Sequence, residues 1–335
     1  MSETTWRRLF GWHHAFDEPV VVLIVAVLGA ALVLSPLLIL ALDRAGWLGP
    51  ALKADLRSRY LSWLAMVPVI VVPVLLGAAP TILAVALLAL LCYREFARAT
   101  GLFREKVMSA TVVLGILAVM CAVADHWYGL FVALTSITLA VLAAVATSLD
   151  RPSGYIQRVA LANFGFLLFG SCLGHLAYMA NDTRFRSLIL LLLFSVQLND
   201  VFAYIVGKSL GGPKLAPRTS PNKTISGSLG AAVLTTLLVF GLTGLMFFHG
   251  PMSGVVQRLA LGLLISIAGQ FGDLSLSAIK RDVGVKDTGA LIPGHGGVLD
   301  RANSLLLSAP TVFHYINYLE GIGVDQASRA LTGGG

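Results

Sequence analysis

Charged residues are scarce in this sequence of 335 residues, since Asp, Glu, Lys and Arg together make up 12%. Soluble globular domains carry about 25% charged residues, so the composition excludes an ordinary water-soluble domain. Cysteine is also rare, with Cys92, Cys121 and Cys172 all inside apolar runs and no CxxC spacing. This pattern excludes a disulfide framework and a cysteine metal site, because both need paired or clustered cysteines. No basic stripe is interleaved with aromatic residues, so nucleic-acid binding is not expected.

Long apolar runs take the place of charge, and 57% of the residues are hydrophobic. A helix that crosses a bilayer needs about 20 mainly apolar residues. The runs therefore predict an all-α, polytopic integral membrane bundle of about nine or ten transmembrane helices. The predicted spans are 19–42, 61–76, 79–93, 107–124, 128–148, 159–180, 187–207, 227–248, 256–280 and 304–320. The second and third spans are short and share a Gly-Pro hinge, so a re-entrant hairpin is an alternative for this pair.

Lysine and arginine are divided unequally between the predicted loops. Eighteen of the 24 lie in one set of loops, namely 43–60, 94–106, 149–158, 208–226 and 280–303. The positive-inside rule places these loops in the cytoplasm, which predicts a multi-pass protein of the cell (inner) membrane with membrane lipids as partners. We expect one membrane-embedded unit, with N-terminal transmembrane helices in 1–180 and two distinctive polar loops in 181–335.

Each of those two polar loops follows an intramembrane acid. Asp200 lies in the seventh predicted span and Asp273 in the ninth, each about seven residues before its loop. At 1.5 Å per residue, both carboxylates lie about 10 Å below the same surface. A charge at bilayer depth is unfavourable by about 2.5–3.5 kcal/mol, so neither faces lipid. Two carboxylates at matching depth beneath basic loops predict a site for a hard divalent cation such as Mg2+.

Each of these features has a simpler explanation when it is taken alone. A lone intramembrane Asp often pairs with an Arg or a backbone group, and the charged residues of 282–287 alone would form a solvated loop. The Gly-Lys-Ser at 207–209 is not a phosphate-binding P-loop, because Phe202 stands where that motif needs glycine. His295 is harder to explain by packing, because it stands between two glycines.

The stretch from Ser277 to Ser304 reads SAIKRDVGVKDTGALIPGHGGVLDRANS. It closely resembles the signature of the phosphatidate cytidylyltransferases (CDP-diacylglycerol synthases), S-x-x-K-R-x4-K-D-x-G-x3-P-x-H-G-G-x-x-D-R-x-D. The positions in register are Ser277, Lys280, Arg281, Lys286, Asp287, Gly289, Pro293, His295, Gly296, Gly297, Asp300 and Arg301. The segments NDVFAY at 199–204 and SPNKT at 220–224 also resemble that family. The resemblance covers about the last 140 residues, and the first half matches only as generic spans.

The resemblance implies a membrane enzyme that transfers CMP from CTP to phosphatidate or a related lipid phosphate, giving CDP-diacylglycerol and pyrophosphate. It implies that 181–335 is the catalytic region and that Mg2+ acts there, alone or with a second, monovalent cation. The implied catalytic residues are Asp287, Lys286, His295 and Arg301. The implied metal ligands are Asp200, Asp273, Asp287 and Asp300. The implied substrate contacts are Ser220, Lys223, Thr224, Lys280, Arg281, Gly296 and Gly297. A homodimer is a further expectation.

Departures from the family pattern leave the specificity open. The signature usually ends in a second acid, where this chain has Asn303, and the first loop usually has Glu where this chain has Ser226. One alternative is therefore a paralogue with a different lipid-phosphate or nucleotide preference, and another is a catalytically silent relative. An ion-coupled membrane transporter is a third, since intramembrane acids suit such a site. The first five predicted spans contain no acid to match Asp200 or Asp273, which argues against transport.

Overall fold

The computed structural model describes residues 3–292, 296–324 and 329–333, and these residues are almost entirely helical. A two-stranded antiparallel hairpin separates the ninth helix from the tenth. The elements are α1 (Glu3–Phe10), α2 (Pro19–Arg44), α3 (Pro50–Leu76), α4 (Ala78–Thr100), α5 (Lys106–Ala124), α6 (Tyr128–Ser148), α7 (Tyr155–Phe166), α8 (Leu173–Tyr178), α9 (Phe185–Leu210), β1 (Lys214–Ala216), β2 (Ser220–Thr224), α10 (Ile225–Thr243), α11 (Val255–Asp282), α12 (Val298–Ala302) and α13 (Leu305–Glu320).

Length and composition make most of these helices membrane spans. Within the described part of the chain, nine helical segments are long and apolar enough to cross a bilayer. They are α2, α3, α4, α5, α6, the continuous segment Tyr155–Asn181 that contains α7 and α8, α9, α10 and α11. In the joined segment, a π-helical stretch at Leu167–Cys172 connects α7 to α8. The predicted all-α, multi-pass membrane bundle is confirmed.

The Gly-Pro hinge joins two helices of full length. α3 has 27 residues and α4 has 23, so each exceeds the predicted spans at 61–76 and 79–93. Gly77 separates them with φ +144°, and a Cβ there would collide with the carbonyl oxygen of Leu9. Only glycine suits both the conformation and the close approach. The alternative of a short re-entrant hairpin is therefore wrong, because a pair of complete helices stands in its place.

The last predicted span, 304–320, corresponds to the shorter helix α13. Its 16 residues span about 24 Å at 1.5 Å per residue, less than the roughly 30 Å of a bilayer core. At its start, Ser304 Oγ donates to Asp200 Oδ2 at 3.3 Å. At its end, Glu320 Oε1 accepts from the backbone N–H of Met252 at 2.8 Å. α13 therefore runs between the two ends of the bundle, although it is too short to count among the nine.

One end of the bundle, which we call the site end, brings together polar segments that are distant in sequence. Arg281 Nε, at the end of α11, donates to the carbonyl oxygen of Thr219 beside the hairpin at 3.4 Å. The backbone N–H of Leu299 donates to Glu95 Oε2 on α4 at 2.9 Å. Loops that the sequence assigned to one membrane side therefore lie at one end of the bundle.

The opposite end of the bundle holds residues from near both termini. The guanidinium of Arg8 donates to Asn181 Oδ1, which follows α8. The backbone N–H groups of Leu331 and Thr332 donate to Asp125 Oδ1 at 2.6 and 2.9 Å. These contacts agree with the predicted separation of the loops into two groups, with the described residues near both termini in the group poor in lysine and arginine.

A buried polar network fixes the helices that carry the two intramembrane acids. Asn199 is fully buried on α9, and its Oδ1 accepts from Thr235 Oγ1 on α10 at 3.1 Å and from Ser266 Oγ on α11 at 2.5 Å. Gln270 Nε2 extends the network by donating to Ser266 Oγ at 3.0 Å. Hydrogen bonds between helices are favourable where there is no water to compete for the polar groups. The network therefore sets the rotation of α9 one residue before Asp200.

Candidate active site

Asp200 of α9 and Asp273 of α11 approach each other at the site end. Asp200 Oδ2 accepts from Ser304 Oγ at 3.3 Å, and the side-chain amide of the adjacent Asn303 donates to Asp273 Oδ1 at 2.5 Å. The two carboxylates are also near enough for their charges to repel. The sequence predicted that Asp200 and Asp273 lie at the same depth, and the structure brings them together. It adds Asn303 and Ser304 to this group.

Two basic side chains compensate the charge of this carboxylate pair. Lys223, on β2, forms an ion pair with Asp273 Oδ2. The positive charge of Arg301, on α12, acts on Asp200. The Lys223 and Asp273 side chains remain 23% and 20% exposed, so small ions and phosphate groups have access to them. This mixture of acids and bases suits a site for a metal-bound anion.

A second cluster forms around Asp300, closer to the rim of the bundle. Its Oδ1 accepts from Lys280 Nζ at 2.8 Å, and its side chain is only 5% exposed. Its Oδ2 accepts from the backbone N–H groups of Thr288 and Gly297, both at 3.0 Å, and from Thr288 Oγ1 at 3.1 Å. Burial alone would raise the pKa of Asp300, but these hydrogen bonds and the Lys280 charge hold that pKa below its usual value.

These contacts assign Asp300 a role in holding the loop together. Its two oxygens already accept four hydrogen bonds, so its predicted role as a metal ligand gains no support from them. Lys280 is likewise paired with Asp300 rather than free at the rim. Asp300 thus fixes the segment that carries the other predicted residues, and it makes that segment rigid.

Asp287 borders the same cluster from the solvent side. Gly296 has φ +81°, and a Cβ there would lie 3.1 Å from Asp300 Oδ2 and 3.5 Å from Asp287 Oδ1. Asp287 and its neighbour Lys286 are both exposed, which leaves them open to a ligand. His295 lies outside the described residues, so its predicted role stays a prediction.

The hairpin contributes fewer ligand contacts than the sequence predicted. Thr224 Oγ1 accepts from the backbone N–H of Gly227 at 3.1 Å, so its hydroxyl forms the N-cap of α10. Ser226 Oγ donates to Thr224 Oγ1 at 3.1 Å and also to the carbonyl oxygen of Gly211, which closes the loop. Thr224 therefore has a structural partner already. Ser220 is half-buried at the start of β2, and its predicted substrate contact stays a prediction.

Glu95 is a site residue that sequence reasoning missed. The sequence placed it in a cytoplasmic loop at 94–106, but it lies in α4 and is only 4% exposed. Its Oε1 accepts from the backbone N–H of Val298 at 3.0 Å. Its Oε2 accepts from the N–H of Leu299 at 2.9 Å and from Thr288 Oγ1 at 3.3 Å. The predicted end of the third span at residue 93 is therefore corrected, because α4 continues to Thr100 and includes Glu95.

The two clusters form consecutive layers along α11 and α12. Asp273 and Lys280 are seven residues apart on α11, which is about 10 Å at 1.5 Å per residue. On the facing segment, Asp300 contacts Lys280 and Asn303 contacts Asp273. Asp200, Asp273 and Lys223 therefore form the deeper layer, and Lys280, Asp300 and the glycine-rich loop lie at the rim.

The donor atoms of the deeper layer suit a hard cation. They are the carboxylates of Asp200 and Asp273 with the side-chain oxygens of Asn303 and Ser304, and Mg2+ prefers oxygen donors of this kind. Among the described residues, no three His, Cys, Asp or Glu side chains gather around one point. Mg2+ commonly uses one or two carboxylates, several waters and substrate phosphates, so the residues present fit that ion.

A comparison with protein families decides the assignment. The model of the cytidylyltransferase family matches residues 57–319, which include every described residue of both clusters. The chain belongs to the cytidylyltransferase family. The match starts well before the segment that carries the signature, so α4 and Glu95 fall within the family's boundaries.

Individual relatives agree with this membership. The uncharacterized protein YnbB of Escherichia coli is 39% identical over 186 residues, which are 53% of this chain and 60% of YnbB. A phosphatidate cytidylyltransferase of Brucella abortus is 46% identical over 142 residues, or 41% of this chain and 50% of that protein. One of Rickettsia bellii is 36% identical over 159 residues, or 46% of this chain and 68% of that protein. The chain thus spans about half to two thirds of the length of these cytidylyltransferase relatives.

Proposed function

We propose that the protein transfers CMP from CTP to phosphatidate, giving CDP-diacylglycerol and pyrophosphate. The observation that carries the proposal is the pairing of Asp200 with Asp273 beneath Lys223, Arg301 and the glycine-rich loop, in a chain of the cytidylyltransferase family. Relatives named phosphatidate cytidylyltransferases support the choice of lipid and nucleotide.

The chemistry requires two anions to meet. An oxygen of the lipid phosphate attacks the α-phosphorus of CTP, a new P–O bond forms there, and the bond to the β-phosphate breaks to release pyrophosphate. Lys223, Arg301 and the exposed Lys286 and Arg281 hold the phosphates and reduce the repulsion between them. Mg2+, held by Asp200 and Asp273, would supply further charge neutralisation during the transfer. His295 is proposed to orient a phosphate or to move a proton.

The depth of the site suits a lipid substrate. The carboxylate pair lies inside the bundle, and the basic loop lies at its rim, so a phosphate at the membrane surface reaches both. The loops of the site end carry most of the lysine and arginine. The proposal therefore includes a protein of the cell (inner) membrane whose site end faces the cytoplasm, where CTP is available. The division at residue 180 and the homodimer stay predictions.

A second candidate function follows from Asn303. The side-chain amide of Asn303 donates to Asp273 Oδ1. The family signature usually has an acid at position 303. A neutral donor beside Asp273 lowers the charge available to a metal, which favours a relative with a different lipid-phosphate or nucleotide preference.

A substrate panel separates these functions. Purified protein in detergent would receive Mg2+ and α-labelled CTP, dCTP, UTP, ATP or GTP, each with phosphatidate, lysophosphatidate or phosphatidylglycerol phosphate, and the lipid-soluble label would be counted. Label from CTP with phosphatidate supports the main proposal. Label from another pair alone selects the second function, and no label from any pair contradicts both.

Replacing Asn303 with aspartate is expected to increase the affinity for Mg2+ about tenfold, because Mg2+ affinity rises with ligand charge. A third carboxylate should also lower the Tm of the metal-free protein through repulsion with Asp273, and Mg2+ should restore it. Thermal unfolding across a Mg2+ titration measures both effects without an activity assay. Equal Mg2+ dependence in Asn303→Asp and wild type would show that no ion binds beside residue 303.

Replacing Asp287 with asparagine is expected to lower turnover by roughly 10²-fold or more, as when a charged contact to the transition state is removed. The Tm should stay close to that of wild type, because the side chain is exposed. Asp282→Asn is the matched control, since it removes another exposed acid, at the end of α11 and five residues before Asp287. Near-normal turnover of Asp287→Asn would remove this residue from the site.

A further inference from the structure

Glu95 binds the start of the signature segment from a helix in the other half of the chain. Val298 and Leu299 begin α12, and the first N–H groups of a helix have no partner within it. The Glu95 carboxylate accepts from both of these groups, at 3.0 and 2.9 Å, and it also accepts from Thr288 Oγ1 at 3.3 Å. A negative charge at a helix N-terminus is favourable as well. One side chain therefore caps α12 and binds the loop before it.

The loop is shaped to admit this side chain. A Cβ on Gly289 would lie 2.6 Å from Glu95 Oε1, and a Cβ on Gly297 would collide with Glu95 Oε2. Two glycines of the loop therefore leave the space that the carboxylate occupies. Larger residues at either position would displace it. The contact thus depends on residues of both partners, which is typical of an interaction that fixes one segment against another.

The segment that Glu95 caps carries the residues that face the two intramembrane acids. Asp300 and Arg301 lie in α12, and Asn303 follows it and donates to Asp273 Oδ1. The next residue, Ser304, donates to Asp200 Oδ2. A shift or rotation of α12 would therefore displace the donors to both carboxylates together.

We propose that Glu95 is a positioning residue, which holds α12 so that its side chains meet Asp200 and Asp273 in the geometry needed for transfer. The inference rests on the proposed function, because it assigns Glu95 a part in that same site. Glu95 itself stays away from the substrate and acts through the backbone of Val298 and Leu299. Through this contact α4, which carries none of the signature, contributes to the site.

The test uses the full-length protein and three variants. Glu95→Gln keeps the size of the side chain but replaces one accepting oxygen with a donor, so it loses at least one backbone hydrogen bond. Glu95→Ala loses all three. Glu105→Gln is the matched control, because Glu105 lies at the same end of the bundle, beyond the end of α4. Hydrogen exchange of the backbone amides of 296–304 is measured together with kcat, KM for CTP and Tm.

We expect exchange in 296–304 to accelerate about tenfold or more in Glu95→Gln, and further in Glu95→Ala. We expect kcat to fall roughly 10- to 100-fold with a smaller change in KM, because small misplacements of reacting groups cost rate. Glu105→Gln should match wild type in all four measurements. Wild-type exchange and kcat in Glu95→Gln would overturn the proposal, as would a loss of Tm with unchanged kcat.

Two other results are possible, namely that both variants fail to fold or that wild type shows no transfer. If both variants fail to fold, Gly289→Ala displaces the Glu95 carboxylate instead, because a Cβ there would lie 2.6 Å from Glu95 Oε1. Fast exchange with low kcat in that variant supports positioning, and wild-type values overturn it. If wild type transfers no nucleotide to any lipid phosphate, the proposed function fails. Exchange in 296–304 then still reports whether Glu95 holds α12, so the two failures are distinguishable.

Discussion

Asp273→Asn is expected to lower turnover by roughly 10³-fold, as observed when one charge-stabilising group is removed from a transition state. Asp273 pairs with Lys223, receives the Asn303 amide and lies beside Asp200. The asparagine has the same shape but no charge, so Lys223 loses its partner and the proposed Mg2+ would lose one of its two carboxylates. The measurement is the rate of lipid labelling from α-labelled CTP at saturating Mg2+.

The control for that variant is Asp55→Asn. Asp55 forms an exposed ion pair with Arg59 at 2.9 Å on α3, and such pairs contribute about 0–1 kcal/mol. Both variants remove one ion-paired aspartate, yet only Asp273→Asn should lose activity. Asp273→Asn with more than a tenth of wild-type turnover would show that the carboxylate pair is not the centre of the chemistry.

Asp300→Asn is expected to affect both stability and turnover. Breaking a buried ion pair by removing one partner costs about 3–5 kcal/mol, because the other charge is left buried without compensation. Lys280 is that partner, and its side chain is 17% exposed. The loop that presents Asp287 and Gly296 would also lose its anchor, so we expect turnover to fall roughly 10²-fold. Thermal unfolding and the lipid-labelling assay measure the two effects separately.

A double variant tests whether the charge left on Lys280 causes the instability. Lys280→Met with Asp300→Asn leaves no unpaired charge, so its Tm should lie above that of Asp300→Asn alone. Its turnover should stay low, because the Lys280 contact is also gone. A double variant no more stable than the single one would assign the instability to the lost backbone hydrogen bonds instead.

The direction of the Asp300 pKa gives the pH dependence of this contribution. The pKa of Asp300 is lower in the folded protein than its ordinary value, so the folded state favours the ionised form. The resulting stabilisation is fully present above the unfolded pKa, near 3.9, and is lost as the pH falls through the folded pKa. As the pH falls below 4, the Tm of wild type should therefore decrease more than the Tm of Asp300→Asn.

The carboxylate pair was predictable from the sequence because helix geometry is regular. Equal distances along two helices that end on one side imply equal depth, and in the structure Asp200 and Asp273 contact the adjacent residues Ser304 and Asn303. Hydropathy located the spans less well. It began the second span at residue 61, whereas α3 begins at Pro50, because charged turns of a helix look like a loop when only polarity is considered.

Glu95 was missed for the same reason. Hydropathy ended the third span at residue 93, but α4 continues to Thr100 and buries Glu95 against Leu299. A partner about 200 residues away leaves no local signal in the sequence. The N-cap role of Thr224 did have a local signal in the sequence. A threonine directly before an apolar run is typical of a helix N-cap. Its place in the family motif had suggested a substrate contact instead.

We propose that the lipid phosphate attacks the α-phosphorus of CTP beside the Asp200 and Asp273 carboxylates. Parallel reactions with α-labelled and γ-labelled CTP, phosphatidate and Mg2+ test it most directly, with wild type and Asp273→Asn side by side. Wild type is expected to transfer only the α label to lipid and to release the γ label in pyrophosphate in equal amount. Asp273→Asn is expected to do neither at a comparable rate. Transfer of the γ label to lipid, or equal transfer by both proteins, would contradict it.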